Sequence, residues 1–282
     1  MRLLTETLPR KPKNARSKRE LAKREPQQVE NPKTALFLRY TKTSSLLTTL
    51  MRDISALKKP YVIQFTKGNS IHPFEDASSL EFFSQKNDTS QILFASHTKK
   101  RPHTLTWMRC FGGRVLDMIE LGVVADTARL ISHFRNDKIS PGVKPMLAFS
   151  GTAWDDPGRS EFALAKSILT DFFRGAEVSE MDVAGLQLLI SFAVAEDQQA
   201  GIKPLLQMRC YKIITKKSGS KVPRVEVDEI GPRMDFRVQR CRQADSDMMK
   251  EAMKKAKGPE VILNGAEGVS VSAMLTQWCR LS

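Results

Sequence analysis

The chain has 282 residues, of which 45 are Lys or Arg and 31 are Asp or Glu, so its formal net charge at pH 7 is +14. A hydrophobic content of 41% is enough for a sizeable core, which excludes a wholly disordered chain. The longest uncharged run, 183–195, is shorter than the roughly 20 residues of a membrane-spanning helix, and the first residues lack the apolar core of a secretory signal. We therefore expect a soluble, basic, intracellular protein with no membrane partner.

The basic excess is concentrated near the N-terminus. Residues 1–42 contain 12 Lys and Arg and 4 Glu, a net charge of +8. Segment 9–33 is rich in charged residues, Pro and Gln, and too poor in apolar side chains to offset its ordering entropy by burial. We predict that residues 1–30 form a flexible basic arm. One interpretation of such an arm is a solubilising tail or a nuclear-import signal. The other is a segment that binds along the phosphate backbone of a nucleic acid.

The folded region begins with a helix followed by alternating elements. Ser44 can cap a helix whose apolar stripe ends before Pro60. The elements predicted after it are a strand at 61–65, a helix at 76–86 and strands at 91–96 and 104–110. A second series consists of a strand at 145–149, a helix at 159–173 and strands at 186–194 and 205–214. The order strand–helix–strand–strand therefore occurs twice.

Individual residues also recur in the same order. One set of four residues recurs 100 positions later: Leu105, Met108, Arg109 and Cys110 correspond to Leu205, Met208, Arg209 and Cys210. Three pairs also correspond: Phe94-Ala95 with Phe192-Ala193, Phe82-Phe83 with Phe172-Phe173, and, within one residue of spacing, Pro60 and Phe65 with Pro145 and Phe149. The shared order predicts a duplicated α/β half, and the period is too long for a solenoid. Coincidence among strands of similar propensity is the alternative.

The last part of the predicted fold contains two alternating segments, 222–230 and 233–240, separated by Gly231-Pro232. They predict two strands around a Gly-Pro turn, with Met234, Phe236 and Val238 on one face and a basic-rich outer face that carries Arg233 and Arg237. A short charged helix within 245–257 and a glycine-rich tail are expected to follow.

One stretch of the folded region contains no acidic residue. Residues 89–116 lack Asp and Glu but include Lys99, Lys100, Arg101 and Arg109. A run of charges is commonly only a solvated face, but acid depletion over a structured segment favours an anionic partner. Pro102 indicates an extended or turn conformation beside the Lys-Lys-Arg run.

Sequence patterns typical of catalysis are missing. The chain contains no GxxxxGK[ST] loop and no GxGxxG, its four His have no metal-ligand spacing, and its four Cys form no CxxC pair. Asp155-Asp156 precedes Pro-Gly and is typical of a turn and helix cap. Trp107 is either a core residue or a stacking platform for a base. We expect no catalytic residue, metal site or cofactor; an RNA-modifying enzyme is the alternative, and it should show a cofactor loop or an acid/base cluster.

Five segments together resemble the Brix-domain family. They are LKKPY (57–61), PFEDASSLEFFSQKND (73–88), SHTKKRP (96–102), LDMIELGV (116–123) and VPRVEVDEIGPRMDF (222–236). The resemblance covers about 28–240. It implies an α/β fold of two similar halves related by a pseudo-twofold, like duplicated anticodon-binding domains, and non-catalytic RNA binding in the nucleolus. The expected organisation is an arm at 1–30, a Brix domain at 31–240 with halves near 31–140 and 141–240, and an extension at 241–282.

Within the family, PFED, SLEFFS and the KKRP run are most similar to one group of ribosome-assembly factors. That resemblance implies a heterodimer with regulator of ribosome synthesis 1, which brings 5S rRNA and the ribosomal proteins of the 5S particle to the large-subunit precursor. Another Brix paralogue that binds pre-rRNA in small-subunit assembly is the alternative. The expected RNA-binding residues are Lys99, Lys100, Arg101, Arg109, Arg233 and Arg237. For Arg109 a structural role, shared with Arg209 in the repeat, is the competing interpretation.

Overall fold

The computed structural model describes residues 14, 15, 18, 32–135, 140–175, 185–194, 204–219 and 224–254. A compact unit runs from Asn31 to Met253. The predicted arm at 1–30, apart from those three isolated residues, and the extension beyond 254 lie outside the described residues, so the predicted domain boundaries stay predictions.

The described residues of this unit contain ten strands and four helices. They are β1 Ala35–Tyr40, α1 Ser45–Lys58, β2 Val62–Asn69, α2 Ser78–Asn87, β3 Gln91–Ser96, β4 Thr104–Phe111, β5 Arg114–Val123, β6 Met146–Ser150, α3 Ser160–Phe173, β7 Leu188–Val194, β8 Leu206–Lys216, β9 Arg224–Glu229, β10 Met234–Arg242 and α4 Ser246–Ala252. Every helix and strand predicted from the sequence is present within a few residues.

All ten strands form one sheet in the order β2-β1-β3-β4-β5-β10-β8-β7-β6, with β9 paired to β8. The antiparallel pair β5–β10 joins the two halves. Counted outward from this pair, β4 corresponds to β8, β3 to β7 and β1 to β6, and the relative strand directions agree on both sides. This arrangement confirms the predicted α/β fold with two similar halves, and β2 is an addition to the first half.

The residue matches that suggested the repeat do not occupy equivalent positions. We call the face under α1 and α3 the inner face and the opposite face, under α2, the outer face. Met108 packs on the outer face, whereas its match Met208 packs on the inner face. Phe94 and Phe192 are opposed in the same way. A one-residue offset reverses every side chain of a strand, so these matches reflect similar strand propensities and only the element order repeats.

The inner-face core is shared by both halves. Ser44 caps α1 by accepting a hydrogen bond from the Leu47 amide at 3.3 Å, and the apolar stripe of the helix is buried as predicted. Aromatic side chains join α3 to the strands of the first half: the ring centroids of Trp107 and Phe172 lie 4.6 Å apart. Trp107 is fully buried and is therefore a core residue, not a platform for a base.

Two strands, β1 and β5, were not predicted from the sequence. Both lie inside the sheet and are covered on both faces over the first half, so their side chains are buried without alternation. β5 also carries the buried acids Asp117 and Glu120, which interrupt its apolar run. The alternation that identifies a half-buried strand is absent from both segments.

The two strands predicted around Gly231-Pro232 are present as β9 and β10, but they do not form a hairpin with each other. β9 and β10 both run antiparallel along the same side of β8, with Glu229 opposite Tyr211 and Met234 opposite Met208. Four residues on this side face two on β8, so the segment is a bulge in one continuing strand rather than a hairpin turn. Gly231 adopts φ +72° there, a conformation that favours glycine.

A network of charged side chains connects the C-terminal end of α3 to the first half. The Arg109 guanidinium donates to both oxygens of Asp117 and, at 2.8 Å, to Asp171 of α3. Lys33 Nζ lies 3.0 Å from Asp171. Burial alone would raise the pKa of Asp171, but the hydrogen bonds and positive charges of Arg109 and Lys33 outweigh it and lower the pKa. Asp117 is fully buried, and its carboxylate is bound by Arg109.

Two further hydrogen bonds strengthen the same junction. Gln91 Nε2 donates to the Asp171 carbonyl at 2.7 Å, and Lys58 Nζ donates to the Phe172 carbonyl at 2.6 Å. Burial lowers the pKa of Lys58 to about 8. The last turn of α3 therefore receives side chains from β3, β4 and α1, which fixes the helix across the two halves.

We expect Arg109→Met to destabilise the protein by about 3 kcal/mol, because it leaves the buried Asp117 carboxylate without its partner. The measurement is the free energy of unfolding from denaturant titration. Arg114→Met, at an exposed position at the start of β5, is the matched control and should change that free energy by less than about 0.5 kcal/mol. Equal effects of the two variants would contradict a structural role for Arg109.

Candidate nucleic-acid interface

The acid-free stretch contains a tight loop at 97–103 between β3 and β4. The amide of Thr98 donates to the Arg101 carbonyl at 3.1 Å, and the amide of Arg101 donates to the Thr98 hydroxyl at 3.1 Å. These bonds close a turn whose tip carries the exposed side chains of Lys99 and Lys100. Two adjacent ammonium groups therefore project into solvent from a closed turn.

The base of this loop is tied to α1 through two histidines. The rings of His97 and His103 lie 4.6 Å apart, and the His103 amide donates to His97 Nδ1 at 3.2 Å. His103 Nδ1 is hydrogen-bonded to the Ser44 hydroxyl at 2.9 Å, and Ser44 is the N-cap of α1. Burial, together with the neighbouring His97, lowers the pKa of His103. A neutral His103 imidazole therefore suits this arrangement.

A buried carboxylate anchors the other side of the loop. Glu120, on the outer face of β5, accepts two hydrogen bonds from Arg240 of β10, at 2.7 and 3.0 Å, and lies 3.8 Å from Arg101. The Arg240 guanidinium is 4.0 Å from the centroid of the Phe74 ring. Because Arg240 belongs to the second half and Arg101 to the first, this cluster joins the two halves on the outer face.

Arg237 lies close to the same cluster. Its partner across β10–β5 is Gly122, whose partner across β5–β4 is Thr104 at the end of the loop. Two strand spacings amount to about 10 Å. Arg237 is exposed on the outer face. We name this group the basic rim; its members are Lys99, Lys100, Arg101, Arg237 and Arg240.

Two of the predicted RNA-binding residues lie elsewhere. Arg109 lies on the inner face beneath α3, with its side chain 11% exposed and held by two carboxylates, so it is placed for structure and we leave it out of the candidate interface. Arg233 is partly exposed farther along the sheet, and its guanidinium is bound to Glu229. The charge of Arg233 is thus largely matched at its own position.

The outer face of the second half differs from that of the first. α2 covers the first half, with Leu80 buried against β1 and β3, whereas no helix in the described residues covers the second. Strand register places apolar side chains together on this surface, which we call the helix-free face; they are Met146, Leu189, Tyr211, Ile213, Val225 and Val227. Val225 and Val227 are 59% and 50% exposed. A clustered apolar surface of this kind typically binds another protein.

Glu120, Phe74 and Arg240 were not predicted from the sequence as site residues. Phe74 and Glu120 were present in the segments that carried the family resemblance, but nothing local in the sequence connects them. Glu120 and Arg240 are 120 residues apart, and only the β5–β10 pairing brings them together. Asp156 behaves as the turn interpretation predicts, since it accepts a hydrogen bond from the Gly158 amide at 2.9 Å. The expected helix cap is wrong, because the N-cap of α3 is Arg159 and no side chain caps the helix.

A comparison with family models matches residues 40–240 to the Brix domain. The chain belongs to the Brix-domain family. Among curated relatives, "Ribosome production factor 2 homolog" of Chaetomium thermophilum is 47% identical, with 89% of this chain and 78% of that protein covered. Proteins of the same name from Schizosaccharomyces pombe and Homo sapiens are 49% and 41% identical, covering 89% and 88% of this chain and 78% and 77% of their own lengths.

These relatives confirm the narrower resemblance to ribosome production factor 2 and a role in ribosome biogenesis. Among solved structures, a probable ribosomal biogenesis protein from Aeropyrum pernix K1 aligns with 76% of this chain and 99% of its own, at 12% identity and a TM-score of 0.43. None of the helices in the described part of the Brix protein is long and apolar enough to cross a membrane. Its described residues also hold no group of three or more His, Cys, Asp or Glu that could bind a metal ion.

The histidine contact predicts a pH-dependent stability. Because the pKa of His103 is lowered in the fold, the unfolded chain takes up its proton first, and the contribution of neutral His103 is lost as the pH falls below about 6.5. His103→Asn removes this titration and tolerates the φ of +49° at this position. Denaturant unfolding at pH 7.5 and 5.5 should show a smaller loss of stability for the variant than for the unmodified protein. An identical loss would contradict the assignment to His103.

Proposed function

We propose that this Brix protein is a non-catalytic assembly factor that binds ribosomal RNA through the basic rim. With a partner protein, it recruits the 5S rRNA and its ribosomal proteins to the large-subunit precursor in the nucleolus. The observation that carries the RNA-binding proposal is the gathering of the rim residues from both halves on one surface. Membership of the ribosome production factor 2 group supports the choice of 5S rRNA and the large subunit.

The rim is suited to phosphates more than to base edges. Lys99 and Lys100 are exposed at a loop tip, where flexible ammonium groups contact backbone phosphates without selecting a sequence. Arg101 and Arg240 share the Glu120 carboxylate, so their positions are fixed while part of their charge is compensated. The overall charge of +14 adds long-range attraction for a polyanion.

We expect the double substitution Lys99→Ala and Lys100→Ala to lower the affinity for 5S rRNA and for other structured RNA by similar factors, because phosphate contacts carry no sequence information. The dependence of log affinity on log salt should become shallower by about 0.9 for each phosphate that the protein no longer neutralises. Fluorescence anisotropy over a series of salt concentrations measures both quantities. Arg101 is left unchanged because its removal would also disturb Glu120.

A matched control is the double substitution Arg52→Ala and Lys67→Ala, which removes two exposed positive charges from α1 and β2. It should leave both the affinity and the salt slope close to those of the unmodified protein. If the two double variants weaken binding equally, the attraction arises from net charge spread over the molecule and the rim has no special role.

For the partner, we propose regulator of ribosome synthesis 1, docked on the helix-free face. The pseudo-symmetry of the sheet supports this site, because α2 covers the outer face of the first half and no described helix covers the corresponding face of the second. An amphipathic helix of the partner would bury the apolar side chains that this face exposes. The order of the strands leaves β6 at an edge of the sheet beside it.

The double substitution Val225→Asp and Val227→Asp should reduce partner binding at least tenfold, because two charges would be buried in the apolar contact. Both valines are half exposed or more in the isolated chain, so the substitution should cost little folding stability. Phe82→Asp, at a 56% exposed position on α2, is the control and should bind the partner normally. Titration calorimetry with the purified partner measures the difference, and unchanged binding by the double variant would contradict the proposed site.

Crosslinking to RNA in cells, followed by sequencing, separates the two family-level alternatives. Reads from 5S rRNA and the large-subunit precursor support the proposed role. Reads concentrated on the small-subunit precursor would instead identify the chain as a factor for that subunit.

A further inference from the structure

A small cleft opens on the outer face directly beside the basic rim. Its walls come from the end of β1, the 71–75 segment before α2, and the basic loop, and its floor comes from β3, β4 and β5. The residues that matter for its chemistry are Tyr40, His72, Phe74, Thr106, Glu120 and Arg240. None of these residues was predicted from the sequence as a site residue. The phosphate contacts proposed above lie outside the interior of the cleft.

Flat groups surround the mouth of this cleft. The rings of Tyr40 and His72 lie 5.5 Å apart, and the Arg240 guanidinium lies 4.0 Å from the Phe74 centroid. Aromatic rings and guanidinium planes are the groups on which unpaired bases of RNA stack. His72 is exposed and Arg240 is partly exposed, so a planar ligand can reach both.

The floor of the cleft is a hydrogen-bond acceptor. The buried Glu120 carboxylate accepts two hydrogen bonds from Arg240, and a carboxylate has about four acceptor positions. A floor of this kind repels a phosphate but accepts a hydrogen bond from an amino group. The exocyclic amino groups of guanine, adenine and cytosine are such donors, whereas uracil has none.

The size of the cleft limits what it can hold. Its volume of about 50 Å³ is far below the roughly 300–1,000 Å³ of pockets that enclose a metabolite or cofactor. It can admit one edge of a planar group while the rest of that group stays outside against the flanking side chains. An RNA strand whose phosphates lie on the basic rim would bring a base to this distance, because the loop that carries Lys99 and Lys100 also forms one wall.

We infer that the cleft is a subsite for one unpaired nucleobase of the bound RNA. The base inserts its amino-bearing edge towards Glu120 and stacks on His72 and the Arg240 guanidinium. This inference rests on the proposed RNA binding and adds to it a preference for bulged or looped RNA over continuous duplex, and for adenine, guanine or cytosine over uracil at the inserted position.

The test uses RNA hairpins that differ at a single position: a one-nucleotide bulge of A, G, C or U, and the same stem fully paired. Fluorescence anisotropy with the full chain at constant salt should show tighter binding to the A, G and C bulges than to the U bulge or the paired stem. A stacking contact corresponds to about fivefold or more in affinity. A 2-aminopurine base at the bulge should change its fluorescence on binding.

His72→Ala should remove a stacking group, and should therefore abolish the preference for bulged over paired hairpins and the 2-aminopurine signal while leaving affinity for the paired stem unchanged. Because His72 is exposed, this variant should fold, and Glu75→Gln, at an exposed position in the same cleft wall, leaves the stacking groups intact and should retain the preference. Lys99→Ala with Lys100→Ala should weaken all five hairpins together.

The outcomes separate the two proposals. Equal binding of all five hairpins by the unmodified protein, weakened by the Lys99 and Lys100 substitutions, overturns the base subsite and supports the phosphate-binding rim. A preference for bulged over paired hairpins that survives His72→Ala also overturns the subsite. No binding to any hairpin or to 5S rRNA overturns both proposals. A loss of partner binding in His72→Ala, with RNA binding unchanged, would identify the cleft as a protein contact and overturn the subsite.

Discussion

The antiparallel pairing of β5 with β10 is the constraint on which the rest of the molecule depends. It joins strands whose partners lie more than 100 residues apart, such as Val123 and Phe236, and it makes one sheet out of two similar halves. Each face of the sheet then has its own charged connection. On the inner face Arg109 holds α3 through Asp171, and on the outer face Arg240 reaches Glu120. The relative position of the rim residues from the two halves follows from this pairing.

The same residue type serves different purposes according to the face on which it lies. Arg109 is enclosed by α3 and neutralised by two carboxylates, whereas Arg237 points from the outer face into solvent. Burial of an unpaired charge costs several kcal/mol, so the interior accepts an arginine only together with its acid. Arg240 is intermediate, because one part of its guanidinium binds Glu120 and one face covers Phe74. Such a fixed but partly exposed guanidinium can select the position of a ligand as well as attract it.

The regions of the sheet differ in whether a described helix covers them. The inner face is filled by α1 and α3 and supplies the shared core. Among the described helices, α2 covers the outer face over the first half and none covers it over the second, where apolar side chains such as Val227 are exposed. The basic rim and its cleft lie between these regions, where the covered part of the outer face meets the open part. The two proposed binding surfaces therefore share no residue.

Elements with local sequence patterns could be predicted without the structure. The capped stripe of α1, the alternation of β4 and the turn at Asp155-Asp156 were all readable because each depends on neighbours within a few residues. The buried strands β1 and β5 were not, since coverage on both faces removes alternation. Lys99, Lys100 and Arg237 were identified as candidate RNA contacts by charge alone, and Arg109 could not be separated from them on that basis.

The face that each strand residue occupies, and what covers that face, depend on long-range packing. Alternation has a period of two, so it shows that neighbouring side chains point apart without showing which of them faces the core. For that reason the sequence comparison matched Met108 with Met208 although they lie on opposite faces of the sheet, while the order of elements was correct. The cluster of Glu120 and Arg240 likewise needed the pairing of strands 120 residues apart. Local pattern specifies the strands, and long-range pairing specifies the surfaces that they build.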